Sequence, residues 1–178
     1  MADKIDHLSR VITLSQALKK RGFKPVLVGG VALVILGSQR VTKDFDFLVS
    51  LQNLSVDSLL EVFYKQGFEL VTKFNQQGEV LRTIDNQKIA SIRLKSNLPD
   101  SLFFFDWETR LKVDLLLDFP LPAKEIELRA TKVKIKSSSL RVASAEDLLH
   151  LKKLAYADRH SASDAQDLEF LNHLLKTS

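Results

Sequence analysis

The stretch Gly29–Phe47, GGVALVILGSQRVTKDFDF, decides how this chain reads. It follows the apolar run Val26-Leu27-Val28, so Gly29-Gly30 reads as the turn from a short buried strand into a brief apolar helix, Val31–Leu36, which Gly37 stops. The next segment, Arg40–Val49, reads as extended. Alternate side chains of a strand share a face, which groups Arg40, Thr42, Asp44 and Asp46 and turns Val41, Phe45 and Phe47 to the core, with Lys43 the one odd charge. Free backbone N–H groups at a glycine turn hold phosphates. Two carboxylates at i and i+2 repel each other, and a bound divalent cation reverses that cost. In this order the two halves predict metal-assisted nucleotide transfer. Each half alone also has a plain structural reading, as a tight packed turn and as a half-exposed strand with a polar face.

Outward from that stretch, residues 4–21 place Ile5, Leu8, Val11, Ile12, Leu14, Ala17 and Leu18 close to helical period, and Gly22 ends the helix. Ser55 caps a helix through Gln66. Phe68–Lys95 reads as strands with Asp85-Asn86 as a hairpin turn, and residues 97–109 read as a loop rich in turn formers. Lys112–Phe119 is a strongly apolar strand, followed by short strands near Lys132–Lys136 and Leu140–Val142. Ser144 caps a helix to about Asp158, with Asp147 at the third helical position, and a last helix covers about Ser163–Leu175. The expected organisation is a core of residues 1–143 with a helical extension, 144–178, packed on it.

Asp114 is the third candidate acid. It lies in Lys112-Val113-Asp114-Leu115-Leu116-Leu117, where an unpaired carboxylate is costly unless hydrogen-bonded or metal-bound; Asp118, at the strand end, is an ordinary solvated acid. Lys152 stands one turn from Leu148 on a largely apolar helix face, either as a lysine with a buried stem or as a cation reaching a triphosphate. Phe103–Phe105 and Trp107 offer either core packing or a base-stacking surface.

Other chemistries lack their residues. There is no cysteine, and His7, His150, His160 and His173 lack zinc-site spacing. No P-loop, Rossmann fingerprint or G-x-S-x-G elbow is present. With 45% hydrophobic and 27% charged residues, a packed core is expected. Net charge is +4, a mild excess that permits nucleotide or nucleic-acid partners without demanding them. The opening MADKIDHLSR lacks a signal-peptide layout and the longest apolar run is too short to cross a bilayer, so a cytoplasmic protein without membrane partners is expected.

Assembled, these residues resemble the DNA polymerase β-like nucleotidyltransferase superfamily: a glycine pair and short helix, D-x-D on the next strand, and a third Asp on a later strand. The resemblance is closer to a prokaryotic branch with a GG-x-A-L opening and an R-x-T-x-D-x-D strand, which includes the AbiEii-type toxin nucleotidyltransferases. Gly29-Gly30-Val31-Ala32-Leu33 and Arg40-Val41-Thr42-Lys43-Asp44-Phe45-Asp46 carry it, as does Ala143-Ser144-Ala145-Glu146-Asp147-Leu148-Leu149-His150-Leu151-Lys152 with the later Arg159, Asp164 and Asp167. It spans about residues 5–175. Val31 departs from the pattern, since many members place Ser or Gly there.

The resemblance implies an α/β (α+β) nucleotidyltransferase fold, a mixed β-sheet flanked by helices with further helices at the C-terminus. It implies Asp44, Asp46 and Asp114 as metal-binding and catalytic acids, with Mg²⁺ or Mn²⁺ as cofactor and a nucleoside triphosphate as co-substrate. Gly29, Gly30, Arg40, Thr42, Lys43 and Lys152 are the matching nucleotide-binding positions. The acceptor is open between RNA, protein and a small molecule, and an antitoxin is a possible partner. The competing expectations are a non-catalytic nucleotide-binding module of the same fold, and a plain nucleic-acid binder using Lys132–Lys136.

Overall fold

A computed structural model describes residues 6–178; Ile5 lies outside them. The first helix, α1 (His7–Lys20), begins at Asp6, whose carboxylate accepts the Ser9 N–H, and buries Val11, Ile12, Leu14 and Leu18 along one stripe. Then come β1 (Val26–Val28), α2 (Gly29–Ile35), β2 (Phe45–Val49) and α3 (Val56–Lys65), with Ser55 capping α3 through the Ser58 N–H. The chain continues through β3 (Glu69–Phe74), β4 (Val80–Ile84), α4 (Gln87–Ser96), β5 (Ser101–Asp106), β6 (Leu111–Leu117), α5 (Ala123–Arg129), β7 (Thr131–Ile135) and β8 (Ser138–Val142). It closes with α6 (Ala145–Arg159) and α7 (Ala162–Thr177).

The strands form one eight-stranded sheet in the order β4-β3-β5-β6-β2-β1-β8-β7. It is mixed: β2 runs parallel to β6 and β1 parallel to β8, while the other neighbours are antiparallel. Val26, Leu27 and Val28 are all buried although they point alternately to opposite faces, so β1 is covered on both sides. On β6 the alternation is partial. Leu111, Val113, Leu115 and Leu117 are buried, whereas Lys112, Asp114 and Leu116 stand on a more open face. Leu148 of α6 and Leu171 of α7 join the main core, and α6 packs on α2.

The α/β class and the mixed sheet are as expected, but four local expectations are corrected. Phe68–Lys95 is not all strand: the hairpin turns at Asn75–Gly78, where Asn75 Oδ1 accepts the Gln77 and Glu79 N–H groups and Gly78 has φ +78°. Asn86 instead caps α4, accepting the Lys88 and Ile89 N–H groups; Ile89 and Ile92 on its exposed side imitate strand composition while Ala90 and Leu94, four apart, face inward. Residues 97–109 are not a loop, because Ser101–Asp106 is a strand in continuous register with β6, and Phe104 stacks on Phe63 with centroids 3.7 Å apart. The expectation passed over α5, where Ala123 and Ile126 are buried. Finally, the extended segment begins only at Phe45, and Val41, expected in the core, is 89% exposed.

Candidate active site

The register of three strands builds the site. Val28, the last residue of β1, pairs with Asp46, and Asp46 pairs with Asp114 on the parallel neighbour β6. Gly29 comes next in the chain, at φ +69°, and a Cβ there would lie 2.1 Å from Asp46 Oδ2. At Gly30 a Cβ would meet Thr42 Oγ1 at 3.0 Å and Arg40 Cζ at 3.1 Å. The glycine pair, Arg40, Thr42 and Asp46 are thus gathered, although residues 38–44 reach the site as irregular chain rather than as strand. No side chain caps α2, because Val28 stands at its start, and its first N–H groups have no side-chain partner there.

The carboxyl groups interact strongly. Burial, and then the neighbouring charge of Asp46, push the Asp114 carboxyl up to about 8. Burial and then Asp44 raise Asp46 to about 6. Asp114 Oδ1 is buried without a hydrogen-bond partner, a costly state for a carboxylate oxygen. Two adjacent oxygen-donor groups and one orphaned oxygen suit a hard divalent cation. Asp44 is the exception: its side chain is half exposed and pairs with Lys112 Nζ at 3.2 Å. Among the described residues no three His, Cys, Asp or Glu side chains form a ready metal-binding group.

Lys112 was not singled out in the sequence. Its Nζ is 3.8 Å from Asp114 Oδ2 and lies 5.5 Å and 5.9 Å from the ring centres of Phe74 and Phe103. Burial alone would lower its pKa, but Asp114 and Asp44 outweigh that and raise it. Period-two alternation already puts residue 112 on the face of residue 114, so the signal was there.

A second group of charges joins the C-terminal helices to the site. Asp167 of α7 accepts from Arg40 and pairs with Lys152 Nζ at 2.7 Å. Asp164 takes Lys152 Nζ at 3.1 Å and Arg159 Nη2 at 3.0 Å; its N–H donates to Ser161 Oγ, and that hydroxyl donates to its carboxylate. Both aspartates are buried. Lys152 is near enough to Asp46 to offset part of that group's upward shift. Lys43 stands apart, exposed and in none of the ion pairs of the described residues. Of the aromatic candidates, Phe103 borders the site under Lys112, Phe104 belongs to the core, and Trp107 donates to Glu69 and Thr83.

Solved structures of the same architecture include an antibiotic adenylyltransferase and a nucleotidyltransferase-like protein. The antibiotic-resistance factor ANT(2'')-Ia superposes over 96% of this chain and 86% of its own, with a TM-score of 0.60 at 10% identity. The lincosamide antibiotic adenylyltransferase LnuA, solved with lincomycin, superposes over 93% of this chain and 96% of its own (TM-score 0.57, 11% identity). An antigenic nucleotidyltransferase-like protein from Paracoccidioides brasiliensis covers 98% of this chain over 78% of its own length (TM-score 0.57, 18% identity). At such identities the likeness defines the fold, which is that of a nucleotidyltransferase. No curated protein matches the sequence.

The sequence itself places the chain more narrowly. It belongs to the family described as "Nucleotidyl transferase AbiEii toxin, Type IV TA system", whose pattern matches residues 12–175. No described helix is long and apolar enough to cross a membrane.

Proposed function

We propose that this chain transfers a nucleoside monophosphate from a nucleoside triphosphate to a hydroxyl group on RNA, protein or a small molecule. The observation that carries this reading is the register pair Asp46–Asp114, with Asp46 packed against Gly29. Asp44, Asp46 and Asp114 would hold one or two Mg²⁺ or Mn²⁺ ions. Such ions supply charge stabilisation at the attacking and leaving oxygens.

The chain's own residues do the rest. Backbone N–H groups at Gly29 and Gly30, uncapped by any side chain, orient the triphosphate, and Arg40, Thr42 and Lys152 add donors and positive charge beside it. Lys43, further out, meets the nucleotide from solvent. Asp114, ionised once a cation is held beside it, would accept the proton of the acceptor hydroxyl. The hydroxyl oxygen then forms a bond to the α-phosphorus as the α–β bridging P–O bond breaks, and pyrophosphate leaves. Membership of a toxin family supports a toxin role in the cytoplasm, held in check by an antitoxin.

A second reading has two observations in its favour: Asp44 is bound to Lys112, and no three-carboxylate group is closed among the described residues. That suits a module that binds nucleotide without turnover. Incorporation of label from each of the four NTPs, with Mg²⁺ and pooled tRNA or the protein itself as acceptor, separates the two. Transfer that disappears in Asp44→Ala/Asp46→Ala establishes the enzyme. Mg-NTP binding with no transfer to any acceptor class favours the module.

A further inference from the structure

We propose that Lys112 is a built-in counter-cation of the acidic site, which a divalent metal ion must displace before Asp44 can join Asp46 and Asp114. The inference rests on the metal-site reading above and concerns what fills that site's charge before metal arrives. Its ammonium group bridges Asp44 Oδ2 at 3.2 Å and Asp114 Oδ2 at 3.8 Å, on the same open face of the sheet. The Lys112 side chain is only 18% exposed. The rings of Phe74 and Phe103, themselves edge to face with centroids 5.1 Å apart, flank the ammonium and hold it over the carboxylates. Asp46 and Asp114 on neighbouring strands, with Asp44 just before β2, would otherwise repel, and one resident positive charge offsets that repulsion.

The same contact explains why the acids stand apart as a metal-binding group. Asp44, near enough to raise both Asp46 and Asp114, has its own charge paired with Lys112. The orphaned Asp114 Oδ1 marks the coordination the ammonium leaves unmet. Lys112 is therefore a positioning residue: it offsets the negative charge of the metal-free site and weakens metal binding, because the cation enters against a like charge. A long, flexible stem then lets the displaced ammonium swing away without moving β6.

The test is Mn²⁺ binding followed by electron paramagnetic resonance at pH 7.5, with no nucleotide present. Lys112→Met keeps the stem and removes the charge; it should bind Mn²⁺ about tenfold more tightly than wild type. Lys112→Arg keeps the charge and should bind no more tightly than wild type. Unchanged or weaker binding by Lys112→Met, or tighter binding by Lys112→Arg as well, overturns the proposal. Asp46→Asn separates the two readings. If it binds Mn²⁺ as wild type does, or if no form binds, the metal site itself fails and Lys112 loses its role with it. If Asp46→Asn abolishes binding while Lys112→Met leaves it unchanged, only the counter-cation proposal falls.

Discussion

Gly29 and Asp46 approach so closely that any side chain at position 29 would occupy the carboxylate's place, its Cβ 2.1 Å from Asp46 Oδ2. The contact follows from the antiparallel pairing of Val28 with Asp46, which sets the next residue against the acid, and from φ +69° at Gly29. Gly30 is different. Its nearest neighbours are the ends of Thr42 and Arg40, and the Arg40 guanidinium can give way.

Gly29→Ala should therefore cost about 2 kcal/mol or more of stability and displace Asp46, with nearly complete loss of activity. Gly30→Ala should be milder on both counts. Urea unfolding beside nucleotide incorporation checks the order; equal effects at the two positions would break the argument.

The Asp46–Asp114 pair makes a pH prediction. Both carboxyls keep their protons to about 6 and about 8 in the folded, metal-free protein, against 3.8 for a free aspartate. The folded state then binds more protons than the unfolded chain, so stability should fall as pH rises from about 4 to about 8. Asp106 and Asp164 act oppositely. Burial opposes it, but hydrogen bonds to Thr109 and Arg10 at Asp106, and to Ser161 and Lys152 at Asp164, lower both. Their contribution is lost only below about pH 4, outside that window. Thermal melts in chelator at pH 5.5 and 8.5 should show the decline, and Asp114→Asn should flatten it. A wild-type Tm that rises across this range would contradict the account.

Asp46→Asn should lower turnover on the order of a thousandfold, the scale of losing several kcal/mol of charge stabilisation. It should leave folding intact or improved at pH 8, because a buried like-charge interaction is removed. Steady-state incorporation and a denaturant titration on the same preparation measure both halves.

Asp167 is the shared acceptor of Arg40 and Lys152. Asp167→Ala leaves Arg40 without its anchor and Lys152 with Asp164 alone, and should destabilise the protein by about 2–4 kcal/mol, less than a fully buried pair because Arg40 is partly exposed. KM for the nucleotide should rise more than kcat falls. Asp167→Glu, which keeps the charge, should recover part of the loss. A purely structural role would lower the amount of folded protein without moving KM.

Asn86→Ala should cost about 1 kcal/mol, the usual value of a helix N-cap, since Asn86 accepts two N–H groups of α4. A hairpin turn at that position would tolerate the change; chemical denaturation decides.

Local signals were enough for much of this molecule. Period-two and helical patterns, with caps at Ser55 and Ser144, located α1, α3, β6, α6 and α7 to within a few residues. They failed where local composition and tertiary burial disagreed. Ile89 and Ile92 carry strand-like side chains on the outside of a helix, and the turn formers before Ser101 hid a strand that is completed only by pairing with β6.

The sequence by itself determined where the glycine pair and the candidate acids fall, because glycine tolerance of positive φ and the alternation of a strand are local properties. It determined the family as well, through the order of those motifs. Only the tertiary structure decided how they combine. Register placed Asp114 beside Asp46, sheet order brought Lys112, Phe74 and Phe103 to the same face, and the docking of α7 set Asp167 between Arg40 and Lys152. These pairings join residues as far apart as 40 and 167, and the free energy that selects them comes from burying strands and helices against one another.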